Sequence, residues 1–176
     1  IDGNKRQKNK LLTMLKNHNL LLNKHIPKNY KCNSREVRLE LLAGIIDSDG
    51  SESHGGYDII QKNEILLDDI IYVARSLGFA AYKKVCKKGC MYKGEKKEGV
   101  YYRTYIHGKG LEDIPVKCER KKVEPRRQIK DALNTRIKVE KREIDNYYGF
   151  ELDGNRRYLL GDYTVTHNTV LALKII

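Results

Sequence analysis

No run of apolar residues among these 176 approaches the roughly 18 that a membrane-spanning helix requires, so a transmembrane helix within them is excluded. The first ten residues are polar and basic, without the apolar stretch of a secretory signal. This abrupt polar start suggests a fragment whose true N-terminus lies elsewhere, and the setting expected is intracellular, cytoplasmic or nuclear. The four cysteines, 32, 86, 90 and 118, make no Cys-x-x-Cys pair and have no histidine at zinc-site spacing. Cys86 and Cys90 flank Lys87-Lys88-Gly89, which reads as a turn and leaves open a hairpin disulfide or half a zinc site; reduced thiols are the simpler reading. Tryptophan is absent, so 12 tyrosines supply most of the aromatic surface.

What the sequence does have is positive charge. Against 23 acidic residues stand 35 Lys and Arg, a formal net charge of +12, which points to a polyanionic partner, nucleic acid first. Because the acids are interspersed, charge alone also fits an ordinary soluble basic domain. The length suffices for one good core or two small ones.

Residues Leu42 to Gly50 read LAGIIDSDG. Upstream, Asn33 and Ser34 offer N-cap side chains, and Glu36, three residues after Asn33, resembles the far end of a capping box. A helix is therefore expected from about Arg35. It runs through Val37, Leu39, Leu41, Leu42, Ala43, Ile45 and Ile46, and from Leu41 it is apolar nearly all round. Such a helix is buried on more than one side, and Ala43 and Gly44 leave room for a second backbone, so a partner helix is implied. Asp47 and Asp49 stand at its C-terminus, where the macrodipole is already negative and carboxylates are disfavoured by roughly 0.3 to 1 kcal/mol each. A broken local rule of this kind points to function, and carboxylates at the end of a paired helix suit a divalent cation.

This nine-residue string resembles the signature of the LAGLIDADG homing endonucleases, differing only at Ile45 and Ser48. The resemblance implies Mg2+-dependent cleavage of double-stranded DNA. It places the catalytic metal on the acidic residue before the last glycine, Asp49.

Along the chain, Leu11, Leu12, Leu15 and Leu20 to Leu22 give a short amphipathic helix ending before Pro27. The residues Asn23 to Pro27 and Asn33 to Arg35 resemble what precedes the second of two LAGLIDADG motifs in intein-encoded endonucleases, so the first motif is expected to be missing. After the signature, Ser51 to His54 and Tyr57 to Gln61 read as strands joined at Gly55-Gly56. A helix over Asn63 to Leu77 carries Leu66, Ile70, Val73, Ala74 and Leu77 on one face and closes at Gly78. Strands Ala80 to Cys86 and Val100 to His107 enclose a basic segment, and Leu111 to Ile114 forms a helical turn stopped by Pro115. The fold class expected is α+β. By resemblance it is one αββαββα LAGLIDADG half, its curved sheet in the DNA major groove, followed by β-strands of an intein splicing (Hint) domain.

A two-stranded ribbon fits the major groove, Lys and Arg neutralise phosphates, and Arg or Gln reads base edges. Gln61, Lys83, Lys84, Lys87, Lys88, Lys93 and Arg103 are candidates for such a patch, taken together rather than singly. Cys118 to Pro125 reads CERKKVEP. Similarity to inteins of the yeast vacuolar ATPase type puts a catalytic-site lysine on the second Lys of a similar pair, here Lys122, to stabilise phosphorane-like charge or order the attacking water. An exposed basic loop is the competing reading of those residues.

Residues 126 to 145 form a charged connector in which Arg136 to Ile144 is a candidate strand. Strand-like runs follow at Tyr147 to Leu152 and Tyr158 to Thr166, the latter broken at Gly161-Asp162. His167-Asn168-Thr169, preceded by YLLGDYTV, resembles the C-terminal splice junction of inteins. By that resemblance Asn168 cyclises through its side-chain nitrogen onto its own carbonyl, and His167 polarises that carbonyl and protonates the departing amine. Thr169 supplies the accepting hydroxyl. Gly149 occupies the place of an Asp found in many inteins, and Arg156 stands near the place of a His.

The expected organisation is residues 1–124 as the C-terminal half of a homing endonuclease, 125–168 as the C-terminal part of the splicing domain, and 169–176 as C-extein. Mg2+ would serve the endonuclease, and splicing would need no cofactor. The expected partners are double-stranded DNA, a complementary N-terminal fragment, and a host protein that is a P-loop NTPase if ligation rebuilds a Gly-Lys-Thr loop. A LAGLIDADG-derived DNA binder or RNA maturase without cleavage fits the first 124 residues but not the tail, and an intein with a decayed endonuclease fits both. If the basic surface binds duplex DNA, its affinity falls by more than about tenfold between 50 and 200 mM salt in a filter-binding titration; a flat salt response contradicts the electrostatic reading.

Overall fold

The computed structural model describes residues 9–92, 94–125, 134, 138–141, 143–146 and 149–167. Lys93, Asn168 and Thr169 lie outside that range. The described elements are helices α1 (Lys10–Asn17), α2 (Lys28–Lys31), α3 (Arg35–Asp49) and α4 (Glu64–Ser76), with strands β1 (Gly50–Ser53), β2 (Gly56–Gln61), β3 (Lys84–Tyr92), β4 (Glu95–Ile106), β5 (Arg157–Leu159) and β6 (Val165–His167). Short 3-10 turns cover Leu111–Asp113 and Glu119–Lys121. None of the described helices is long and apolar enough to cross a membrane.

The helix that carries the nine-residue string begins where its cap predicts. Ser34 is the N-cap, its hydroxyl accepting from the Val37 amide, while Asn33 Oδ1 accepts from the Ser34 amide. One side of α3 is buried through Leu42, Ala43 and Ile46; on another, a methyl group placed on Gly44 would meet nothing within 4 Å. The helix hands directly to the sheet, because the Gly50 amide donates to the Ile46 carbonyl while the residue takes an extended conformation. A Cβ there would stand 2.8 Å from the Ile46 backbone.

β1 to β4 form one antiparallel sheet in the order β1-β2-β4-β3. The turn between β1 and β2 is His54-Gly55, both with positive φ, rather than Gly55-Gly56. Gly56 belongs to the strand, paired with Ser53, and a Cβ there would lie 2.6 Å from the Ile106 carbonyl oxygen. Tyr57, Ile59, Thr104 and Ile106 face α3 and α4, joining Leu42, Ile46, Leu67, Ile70 and Val73 in the core. α4 is N-capped by Asn63, whose Oδ1 accepts from Leu66 N at 2.9 Å, and it closes at Gly78 as expected.

Three expectations need correction. β3 runs straight through Lys87-Lys88-Gly89 and pairs with β4 as far as Tyr92 opposite Glu95, so Cys86 and Cys90 sit four apart on one strand instead of across a turn; Cys86 is a free thiol. A run of basic residues carries no apolar periodicity, which is why the turn position was hidden. α1 ends at Asn17, because Asn19 and Leu22 take positive φ, and the segment to α3 contains the extra turn α2. The described residues between 138 and 152 form no strand, whereas β5 and β6 pair as a hairpin across the expected break.

Asp69 fixes the segment before α3 to α4. It is buried on α4, accepts from the Ile26 amide at 2.7 Å and pairs with Lys31. A buried carboxylate satisfied by two donors sets the route of residues 26–31 and hence the start of α3.

Candidate active site

Asp47 and Asp49 divide the work at the C-terminus of α3. Both oxygens of Asp47 are occupied, Oδ2 by the Lys117 amide and Oδ1 by the Cys118 amide, each at 3.0 Å. In return Lys121, only 5% exposed, turns its ammonium onto the Ile46 and Asp47 carbonyl oxygens at 2.8 and 2.7 Å. A helix end with unpaired carbonyls and a negative dipole is thereby supplied with a buried cation. Residues 117–123 form a strap bound reciprocally to α3. Donation by the Lys117 and Cys118 amides lowers the Asp47 pKa below its ordinary 3.8, against the opposing effect of burial and with help from Lys121.

Asp49, two residues on, is exposed at the junction of α3 and β1. Its Oδ2 accepts from Gln61 Nε2 at 3.1 Å. Gln61 is 8% exposed on the core side of β2, so this amide orients the carboxylate from below. Asp49 opens onto a groove of about 800 Å³ lined also by Ser51, Asp58, Ile60, Lys62, Lys88 and Tyr101. An exposed, oriented carboxylate is a hard oxygen donor of the kind Mg2+ prefers. Among the described residues no three His, Cys, Asp or Glu side chains gather as a cation site, and Asp49 is the exposed carboxylate at this end of α3.

The sheet alternation sorts the candidate nucleic-acid residues. Lys84, Lys88 and Arg103 occupy positions on the face that bears Ser51, Asp58, Ile60 and Tyr101, and Arg103 makes a two-pronged pair with Asp58 at 2.8 and 2.5 Å. Lys87 takes the opposite face in register. Lys83 is drawn to α4, bonding Glu64 at 2.7 Å and Asp68 at 2.9 Å. Lys122 is half-exposed and paired with Glu119 at 2.7 Å. Lys62, Ser51 and Tyr101 were not singled out from the sequence; period-2 alternation in β1, β2 and β4 is the signal that could have found them. His167 ends β6 and is exposed.

Compared with known families, residues 25–135 match a family described as homing endonuclease. The matched segment spans α2 through the strap, and so includes Asp47, Asp49, Gln61 and the four-stranded sheet.

The lowered Asp47 pKa has a defined pH consequence. An ionised carboxylate favoured in the folded state stabilises the fold above the ordinary value of 3.8, and that contribution is lost as pH falls through the lower folded value. Thermal unfolding of wild type and Asp47→Ala should therefore show a Tm gap that is constant from pH 7 to about 4 and narrows below it. A gap that instead widens on acidification would contradict the assignment.

Proposed function

The chain belongs to the homing endonuclease family, and from that premise we propose that it is the second LAGLIDADG half of a DNA-cleaving enzyme, carried within the C-terminal portion of an intein. Family membership implies binding and hydrolysis of DNA; the subtype and the splicing activity are our reading. The observation that carries it is Asp49. It is exposed, held by a buried amide and set at the end of a helix whose Gly44 side is open.

In this reading the open side of α3 packs against the matching helix of a first LAGLIDADG half, which brings a second acidic residue beside Asp49. Asp49 would hold a divalent cation, which would supply Lewis-acid stabilisation of the scissile phosphate. Gln61 orients the carboxylate, and Lys122 stabilises negative charge developing on phosphorus or orders the attacking water. Lys62, Lys84 and Lys88 bind the duplex on this face, with Tyr101 as an amphipathic surface among them, while Arg103 is held by Asp58.

The tail performs separate chemistry. Asn168 cleaves its own peptide bond by succinimide formation, His167 donates the proton to the leaving amine, and Thr169 receives the N-terminal flank beforehand. Splicing requires an N-terminal nucleophile and its helper residues from a complementary fragment.

With that fragment supplied, Asp49→Asn should reduce double-strand cleavage by on the order of 100-fold or more while leaving ligation intact. Asn168→Ala should do the reverse. Gel assays of plasmid cleavage and mass spectrometry of the ligated product read the two activities; loss of both in each folded variant would defeat the separation of sites.

A further inference from the structure

The β5–β6 hairpin is built around a turn, residues 160–164, that is closed by its own hydrogen bonds. Asp162 Oδ1 accepts from the Thr164 amide at 3.0 Å, and Leu160 and Thr164 are joined through a 2.8 Å backbone bond. Tyr163 takes φ +67°, a left-handed conformation that tyrosine seldom adopts. Such a conformation persists only where its surroundings hold it.

The surroundings are α4. The Tyr163 ring meets Tyr72 edge-on with centroids 4.9 Å apart, a favoured aromatic geometry. One turn along the same helix, Arg75 Nη1 donates to the Asp162 carbonyl at 3.3 Å and lies 3.8 Å from its carboxylate. The receiving side chains are themselves fixed. Arg75 Nε donates to the Ala81 carbonyl at 2.8 Å and its guanidinium covers the Tyr82 ring at 5.0 Å. Tyr72 lies under the Lys31 ammonium at 5.8 Å, with Cys32 Sγ 3.8 Å from its hydroxyl. The dock thus draws on α2 and α4 and is held by contacts independent of the hairpin.

Placement adds a consequence. α4 packs on the core side of the sheet, whereas Lys84, Lys88 and Tyr101 lie on the other side. A duplex on that face leaves the hairpin seated. We propose that Tyr72 and Arg75 form a docking surface for the chain's own C-terminal hairpin, so that the endonuclease half holds in place the strand leading to His167. The significance of His167 rests on the splicing reading above; the docking itself does not.

Hydrogen-exchange mass spectrometry on the full chain tests this. In wild type, amides of residues 157–167 should exchange more slowly than in the isolated hairpin peptide. Tyr72→Ala and Tyr163→Ala should each accelerate them by about tenfold or more while α3 and β2 keep their protection, as expected when a local unit is released without global unfolding. Duplex affinity should stay within about twofold of wild type in both variants, since neither residue lies on the face that bears Lys84 and Lys88. Tyr163→Ala guards against a packing defect in α4, because Tyr163 belongs to the tail. Wild-type exchange at the peptide rate, or unchanged exchange in both variants, overturns the docking. Release of residues 169–176 is followed by mass in a parallel sample mixed with the complementary N-terminal fragment: its absence there counts against the splicing reading and leaves the exchange result to decide the docking.

Discussion

The end of α3 is an electrostatic problem, and the way it is solved fixes the arrangement around it. Four carbonyl groups, a negative dipole and two carboxylates converge there. The strap after the sheet answers with two amides on Asp47 and a buried ammonium on the last carbonyls. Beneath it lies Tyr57, whose phenol burial pushes up to about 12, so it stays neutral and bonds to the Val123 backbone. With Asp47 and Lys121 engaged in this clamp, Asp49 is the carboxylate of α3 that faces the groove, steadied by Gln61. Gly50 then lets the chain pass into β1 without a connecting loop, so the carboxylate stands at the edge of the sheet.

The sheet inherits a clear division of faces. Its inner face supplies Tyr57, Ile59 and Ile106 to the core, and its outer face carries charge and tyrosine beside Asp49. Not all of the positive charge is free to meet a polyanion. Lys83 is spent on α4 and Arg103 on Asp58, so the net charge of +12 overstates what the groove presents. Lys62, Lys84 and Lys88 therefore carry more weight there than the overall composition.

Much of this was legible because it is local. The N-cap Ser34, the run from Leu41 to Ile46, the apolar face from Leu66 to Leu77 and the terminal Gly78 each act within a turn or two, and the elements they predict are present. The acid pair at a helix end marked the site for the same reason. The distinct roles of the two acids were hidden, since the partners of Asp47 are 70 and 71 residues away. Gln61 read as a base-contacting side chain because nothing in its neighbours reveals which face of β2 is buried. The β3–β4 turn was misplaced because Gly89 carries a turn signal that strand pairing overrides.

The most direct test of the account is whether a cation binds at the exposed carboxylate of α3. In NMR spectra of the chain with duplex DNA, substoichiometric Mn2+ should broaden the amide resonances of Asp49, Gly50 and Gln61, and Asp49→Asn should abolish the effect. Broadening centred elsewhere, or unaffected by Asp49→Asn, would contradict it.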